Sequence, residues 1–246
     1  MNALPVPRVE VHESAAELAT AVAGALIRLL TVKQAAGDVP LVVLTGGTIA
    51  DKIHRELARL GPGSEVDWTR VDFYWGDERF VAPDSADRNA RQARAAFLDA
   101  IGVDPARVHE IPSTADAASV DDAATAYAAT VRASEGRVFD VLMLGVGPDG
   151  HVASLFPGFP QLTADAIAVG VTGSPKPPPE RVTLTLAALN HSDQVWFVVS
   201  GADKAGAVGR ALAATPPDVQ EIPAIGVRGR MGTTWFLDRD AASQVD

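Results

Sequence analysis

The chain of 246 residues is 47% apolar and 21% charged, with a mean hydropathy of +0.11. That is enough apolar material for one sizeable core and far from the composition of a disordered chain. With 31 acidic against 21 basic residues the net charge is −10, which argues against a nucleic-acid footprint and requires any anionic ligand to be held by a local cluster of cations. Zero cysteines exclude disulfides, thiolate metal sites and cysteine nucleophiles.

In chain order, the first eight residues, MNALPVPR, lack the basic start and apolar centre of a secretory leader. No apolar run is read as approaching the length of a membrane span, so a cytoplasmic protein with no membrane partner is expected. A helix is predicted over 14–36, opened by Ser14 with Glu17 three residues on and stopped by Gly37. Strand-length apolar runs at 41–45, 71–75, 139–145 and 194–200 then alternate with helical stretches at 49–60, 89–100, 116–134 and 203–214. The strands are apolar on both faces, as in a parallel sheet covered by helices. A turn at 61–63 and a proline-rich loop at 175–179 punctuate the chain, because prolines supply no amide donors to a ladder. Residues 181–186 alternate as an edge or antiparallel strand would, 233–237 read as a further short strand, and 238–246 as a polar tail or short helix. The expected fold is one α/β domain over 1–246: a Rossmann-like, mostly parallel sheet flanked by helices on both faces, with a small additional lobe or antiparallel edge.

Four segments of reactive composition follow directly on the four apolar strands, and ligands of open parallel sheets bind outside the carboxyl ends of the strands. The first, Thr45-Gly46-Gly47-Thr48, turns a strand into a helix so that backbone amides and a helix N-terminus face an anion. It fits neither the Walker pattern nor the dinucleotide fingerprint, so ATP and NAD are not expected. The second places Asp77, Glu78 and Arg79 after Phe73, Tyr74 and Trp75. A salt-bridge network at the loop base is the plain reading; the functional one gives Arg79 as a planar donor fork for a substrate oxygen or phosphate.

The third segment, Gly147-Pro148-Asp149-Gly150-His151, is the most specific, since a histidine on a glycine-bracketed turn with a carboxylate two residues away fits a general base. An imidazole of ordinary pKa, ~6.5, accepts a proton at neutral pH, and the carboxylate orients the ring. Neither a zinc-protease pattern nor a Gly-x-Ser-x-Gly elbow is present, so no metal ligand set is assigned and Ser154 is not read as a nucleophile. The fourth segment offers Lys204, and the proline-rich loop offers Lys176 with Arg181 close behind. The chain has only four lysines, so two at the site suggest the cation cluster that the net charge demands.

The strings Trp75-Gly76-Asp77-Glu78-Arg79, Gly147-Pro148-Asp149-Gly150-His151 with Ser154-Leu155-Phe156-Pro157, and Pro175-Lys176-Pro177-Pro178 with Arg181-Val182-Thr183-Leu184-Thr185 together resemble the 6-phosphogluconolactonase family in order and spacing. That resemblance implies the Rossmann-like fold shared with aminosugar-phosphate deaminases. It also implies hydrolysis of 6-phosphoglucono-δ-lactone in the oxidative pentose phosphate pathway, with no cofactor and no required metal. It further implies His151, Asp149 and Arg79 as catalytic residues, Gly46, Gly47, Thr48 and Asp77 as ligand-binding positions, and Lys176, Arg181 and Lys204 as basic contacts. One departure is Ile49, where family members often carry proline. The related deaminases are the alternative, but their usual Asp-Glu-Tyr is here Asp77-Glu78-Arg79. The glutamate they carry five residues after the histidine is Phe156, which removes a proton carrier that ring opening needs. A sugar-phosphate-binding module without chemistry would have no need of the Asp149/His151 pair.

Overall fold

The computed structural model describes residues 6–134 and 136–245, so the first five residues, Glu135 and Asp246 lie outside the description. In chain order the strands and α-helices are β1 (Arg8–His12), α1 (Ala15–Ala35), β2 (Leu41–Leu44), α2 (Thr48–Leu60), β3 (Asp72–Trp75), β4 (Asp77–Arg79), α3 (Asn89–Ala93), α4 (Val120–Arg132), β5 (Phe139–Leu144), β6 (Ala168–Val171), β7 (Arg181–Leu184), α5 (Leu186–Leu189), β8 (Ser192–Val199), α6 (Ala205–Leu212) and β9 (Gly232–Asp238). Six strands form a parallel sheet in the order β1-β9-β8-β5-β2-β3, and β4-β7-β6 form a small antiparallel sheet. The two-sided apolar reading of the central strands holds: every residue of β2 and β3 is buried, as are four of the last five of β5 with the fifth buried in part.

The order places β3 on one side of β2 and β5 on the other, so the connections leaving β2 and β5 diverge and open a crevice between them. Register aligns the mouths of that crevice: Leu44 pairs with Trp75 and Leu144 with Phe197, so the loops after β2, β3, β5 and β8 emerge at one edge. Thr45 Oγ1 accepts the Gly145 amide at 3.4 Å across the gap. At Gly76 the chain leaves the parallel sheet and enters the small one, and the Gly76 carbonyl accepts the Leu184 amide at 2.9 Å.

Helix α1 is capped as read, with Ser14 Oγ accepting the Glu17 amide at 3.3 Å and Gly37 beyond its end at φ +92°. The membrane reading of this segment is corrected. Helix α1 has 21 residues and contains an 18-residue stretch of mean hydropathy 1.6, the length and composition of a span. Its Leu18, Val22, Ala23, Leu26 and Leu30 are fully buried, and the helix packs on α2 and β9, which accounts for its apolarity.

Other boundaries shift for local reasons. The helix read from 116 begins at Val120, because Ser119 Oγ accepts the Asp122 amide at 3.1 Å while Asp116 is spent on the amide and hydroxyl of Ser113. Thr185 caps a new short helix, ending β7 early. The helical reading of 89–100 is α only to Ala93 and continues as a π turn over Arg94–Leu98, and that of 203–214 starts as a 3-10 turn, Ala202–Lys204. Asp77–Arg79, read as loop, is a strand; β1 and β6 were not anticipated.

Candidate active site

The crevice holds a pocket of about 500 Å³. Gly46, Gly47, Thr48, Asp77, Arg79, His151, Lys176, Arg181 and Lys204 all line it, drawn from four strand ends, β7 and the proline loop. Asp149 is outside that lining and reaches the site through its contact with His151.

The first wall is the glycine turn. Gly47 adopts φ +97° as it enters α2, a conformation that costs glycine nothing, and no side chain caps the helix start. The amides of the first turn of α2 are thus presented to the pocket without a protein acceptor from a capping side chain, which is an anion-binding arrangement. Gly46 is fixed by contact: a Cβ there would lie 1.9 Å from Asn89 Oδ1. Asn89, only 2% exposed, donates from Nδ2 to the Asp77 carbonyl at 3.1 Å, so its oxygen is turned toward Gly46.

On the second wall the two readings of Asp77-Glu78-Arg79 separate by residue. Glu78 is structural. Its carboxylate accepts the amides of Arg79, Asn89 and Ala90 at 2.7–2.8 Å and anchors the start of α3. Burial pushes its pKa up, against the pull of those amides and Arg88. Arg79 faces the pocket, donates from Nη1 to the Asp87 carbonyl at 2.6 Å and keeps a buried Nε with no partner among the described residues. Asp77 Oδ2 accepts the hydroxyl of Ser154 at 2.7 Å. Ser154 is fully buried.

The third wall carries His151. His151 Nδ1 contacts Asp149 Oδ1, and the His151 amide adds a longer bond to the same oxygen at 3.4 Å. Burial would raise the Asp149 pKa, but the hydrogen bond and charge of His151 outweigh it and hold the group at about 2. An ionised carboxylate can only accept, so Nδ1 carries a proton, and in the neutral imidazole the lone pair is left on Nε2. Tight glycines make the turn: a Cβ at Gly147 would lie 2.0 Å from the imidazole, and Gly150 sits at φ +85°. The ring of Phe156 closes the far side, 4.7 Å from that of His151.

Opposite stand the cations. Burial, then the charges of Lys204 and Arg181, depress the pKa of Lys176, so these groups crowd one another without full neutralisation. Lys204 is paired with Asp203 at 2.8 Å. Lys52, Asn89 and Ala153, the last at φ +48°, also line the pocket and were not singled out from sequence.

An α/β crevice in which a carboxylate-oriented histidine shares one pocket with an arginine, lysines and an uncapped helix start has the layout of an enzyme site for a small anionic substrate. Residues 13–236 match the family model described as glucosamine-6-phosphate isomerases/6-phosphogluconolactonase, and the chain belongs to that family. Among relatives, the 6-phosphogluconolactonase of Streptomyces coelicolor is 43% identical over 249 residues, covering 97% of this chain and 95% of its own. The crystal structure of 6-phosphogluconolactonase from Thermotoga maritima superposes with a TM-score of 0.83 at 29% identity, covering 95% of this chain and all of the other. A monomeric glucosamine-6-phosphate deaminase reaches a TM-score of 0.82 at 20% identity over 96% of this chain and 99% of its own, a likeness of fold alone.

Proposed function

We propose that this pocket opens 6-phosphoglucono-δ-lactone to 6-phosphogluconate by attack of water, with His151 as the base. The lactonase activity rests on the family and on 43% identity to a lactonase over nearly the full length; the residue roles are read from the geometry. The observation that carries them is that His151, tautomerically fixed by Asp149, shares one pocket with the uncapped start of α2, Arg79 and the lysines.

The phosphorylated end is held by the cations and the glycine turn, which brings C1 beside Nε2 of His151. Nε2 takes a proton from water as its oxygen bonds to C1, and the carbonyl oxygen becomes an oxyanion facing Arg79. Collapse of the tetrahedral species breaks the bond from C1 to the ring oxygen, and the imidazolium returns the proton to that oxygen. Asp149 stays ionised throughout and stabilises the imidazolium.

Proton release on freshly made 6-phosphorylated lactone, beside ammonia release from glucosamine 6-phosphate, tests the reaction. The expected result is acid without ammonia, with the unphosphorylated lactone a poor substrate because the remote binding energy is missing. His151→Ala should lose about 10²–10⁴ in kcat, the usual worth of a general base. Undiminished turnover in that variant rules His151 out.

A further inference from the structure

Arg181 lines the pocket, yet the hydrogen bonds of its guanidinium go to backbone carbonyls of the proline loop. Nε donates to the Pro178 carbonyl at 3.2 Å, and Nη2 donates to the carbonyls of Lys176 at 3.0 Å and Pro177 at 3.2 Å. The side chain is held in place by burial, with the residue 5% exposed, and by the ring of Phe156, 5.9 Å below its guanidinium carbon.

The need for such a clamp follows from the loop's composition. Residues 175, 177, 178 and 179 are prolines, so the segment carrying Lys176 has few amides with which to satisfy its own carbonyls. Its internal ties are the Ser174 amide to the Pro179 carbonyl at 3.0 Å and two contacts of the Ser174 hydroxyl with Lys176. A planar fork that reaches three successive carbonyls supplies what the prolines remove, and a lysine in its place could not span them.

Arg181 also sits directly opposite Arg79 in the β4–β7 register, a like-charge pair that sheets avoid unless another interaction offsets it. The three carbonyl bonds provide that offset. We propose that Arg181 is a positioning residue that shapes the proline loop so that the Lys176 ammonium faces the pocket, and that its contribution to turnover passes through Lys176. The inference rests on the lactonase reading of the pocket and gives Arg181 an indirect part, where sequence reasoning expected a substrate contact.

A double-mutant cycle tests it. Lys176→Ala, Arg181→Lys and the double variant are assayed for kcat/KM on the 6-phosphorylated lactone, with thermal melts to confirm folding. Each single change should lower kcat/KM by about tenfold or more, and the double variant should fall within about threefold of Lys176→Ala alone, because groups acting as one unit are not additive. Multiplicative losses overturn the proposal and make Arg181 a substrate ligand in its own right. Amide hydrogen exchange supplies a second readout: Arg181→Lys should speed exchange of the Ser174 and Lys176 amides while those of β6 and β7 stay protected, and unchanged exchange also counts against the clamp. Should Arg181→Lys not fold, Arg181→Gln enters the same cycle; failure of both to fold assigns Arg181 to the sheet instead of the loop and refutes the inference. A wild-type protein inactive on the lactone would fail the functional reading, a result distinct from an active enzyme with an additive cycle.

Discussion

Gly46→Ala is the smallest change that should disable the anion cradle. The new methyl would sit 1.9 Å from Asn89 Oδ1 and 2.4 Å from its Cγ, whereas real Cβ atoms essentially never approach within 3.0 Å. Relief requires the turn or Asn89 to move by about 1 Å. Asn89 is 2% exposed and bonded to the Asp77 carbonyl, so it does not yield freely. The turn moves instead, and with it the first amides of α2. A misplacement of about 1 Å in a positioning group costs on the order of 10²-fold, near 2.7 kcal/mol of transition-state stabilisation. We therefore expect kcat/KM on the phosphorylated lactone to fall about 10²-fold, while circular dichroism and the melting profile report a folded protein. The companion variant carries the logic: Asn89→Ala with Gly46→Ala removes the colliding oxygen and should recover at least part of the loss. A Gly46→Ala enzyme within threefold of wild type, or a double variant worse than either single one, would refute the collision argument.

Arg79→Ala should lower kcat by about 10²-fold, the usual worth of one oxyanion donor, and a rise in KM alone would make Arg79 an anchor for the substrate. His54, stacked on Phe97 at 4.7 Å and fully buried, has its pKa lowered by burial to about 4. The unfolded chain binds that proton below its ordinary pKa and the folded chain does not, so stability is intact above about pH 6.5 and is lost as the pH falls toward 4. The loss is about 2 kcal/mol by pH 5, and urea denaturation of His54→Leu should show a correspondingly shallower decline between pH 7 and 5. Parallel curves for the two proteins would show that other groups dominate.

What could be read in advance follows from which interactions are local. The apolar strands β2, β5 and β8 were legible because burial on both faces leaves a continuous run, and their loops were legible because each motif follows its strand directly. Asp77–Arg79 was not legible as a strand, since three charged residues have little strand preference and pair only because β7 lies opposite. Strand β6 contains a glycine in four residues, and β1 is an exposed edge, so neither gives a strong pattern. The part of Asn89 depends on its approach to Gly46, and the left-handed Ala153 has no signature in the residue type. Arg181 was found by charge, but its partners are carbonyls of a loop whose path only the fold defines.

The likeness to a deaminase at a TM-score of 0.82 means that the fold does not choose the chemistry, so the choice must lie in side chains around His151. Phe156 is 1% exposed and packed against both the imidazole and Arg181. An aromatic ring moves no proton. Asp149, held at a pKa of about 2, is ionised across the whole neutral range and cannot donate one either. Of the groups gathered on this wall, only His151 can both accept and return a proton, which is what the proposed mechanism asks of it as base in the attack and acid in the collapse. Lactone hydrolysis asks for one such shuttle between water and the ring oxygen, whereas opening and isomerising an aminosugar asks for proton movements at several atoms. The same aromatic, which offers no second carrier, lies under Arg181 and so bears on the loop of Lys176. In the proposed mechanism one aromatic ring thus both leaves His151 as the sole proton carrier of this wall and helps to build the site it serves.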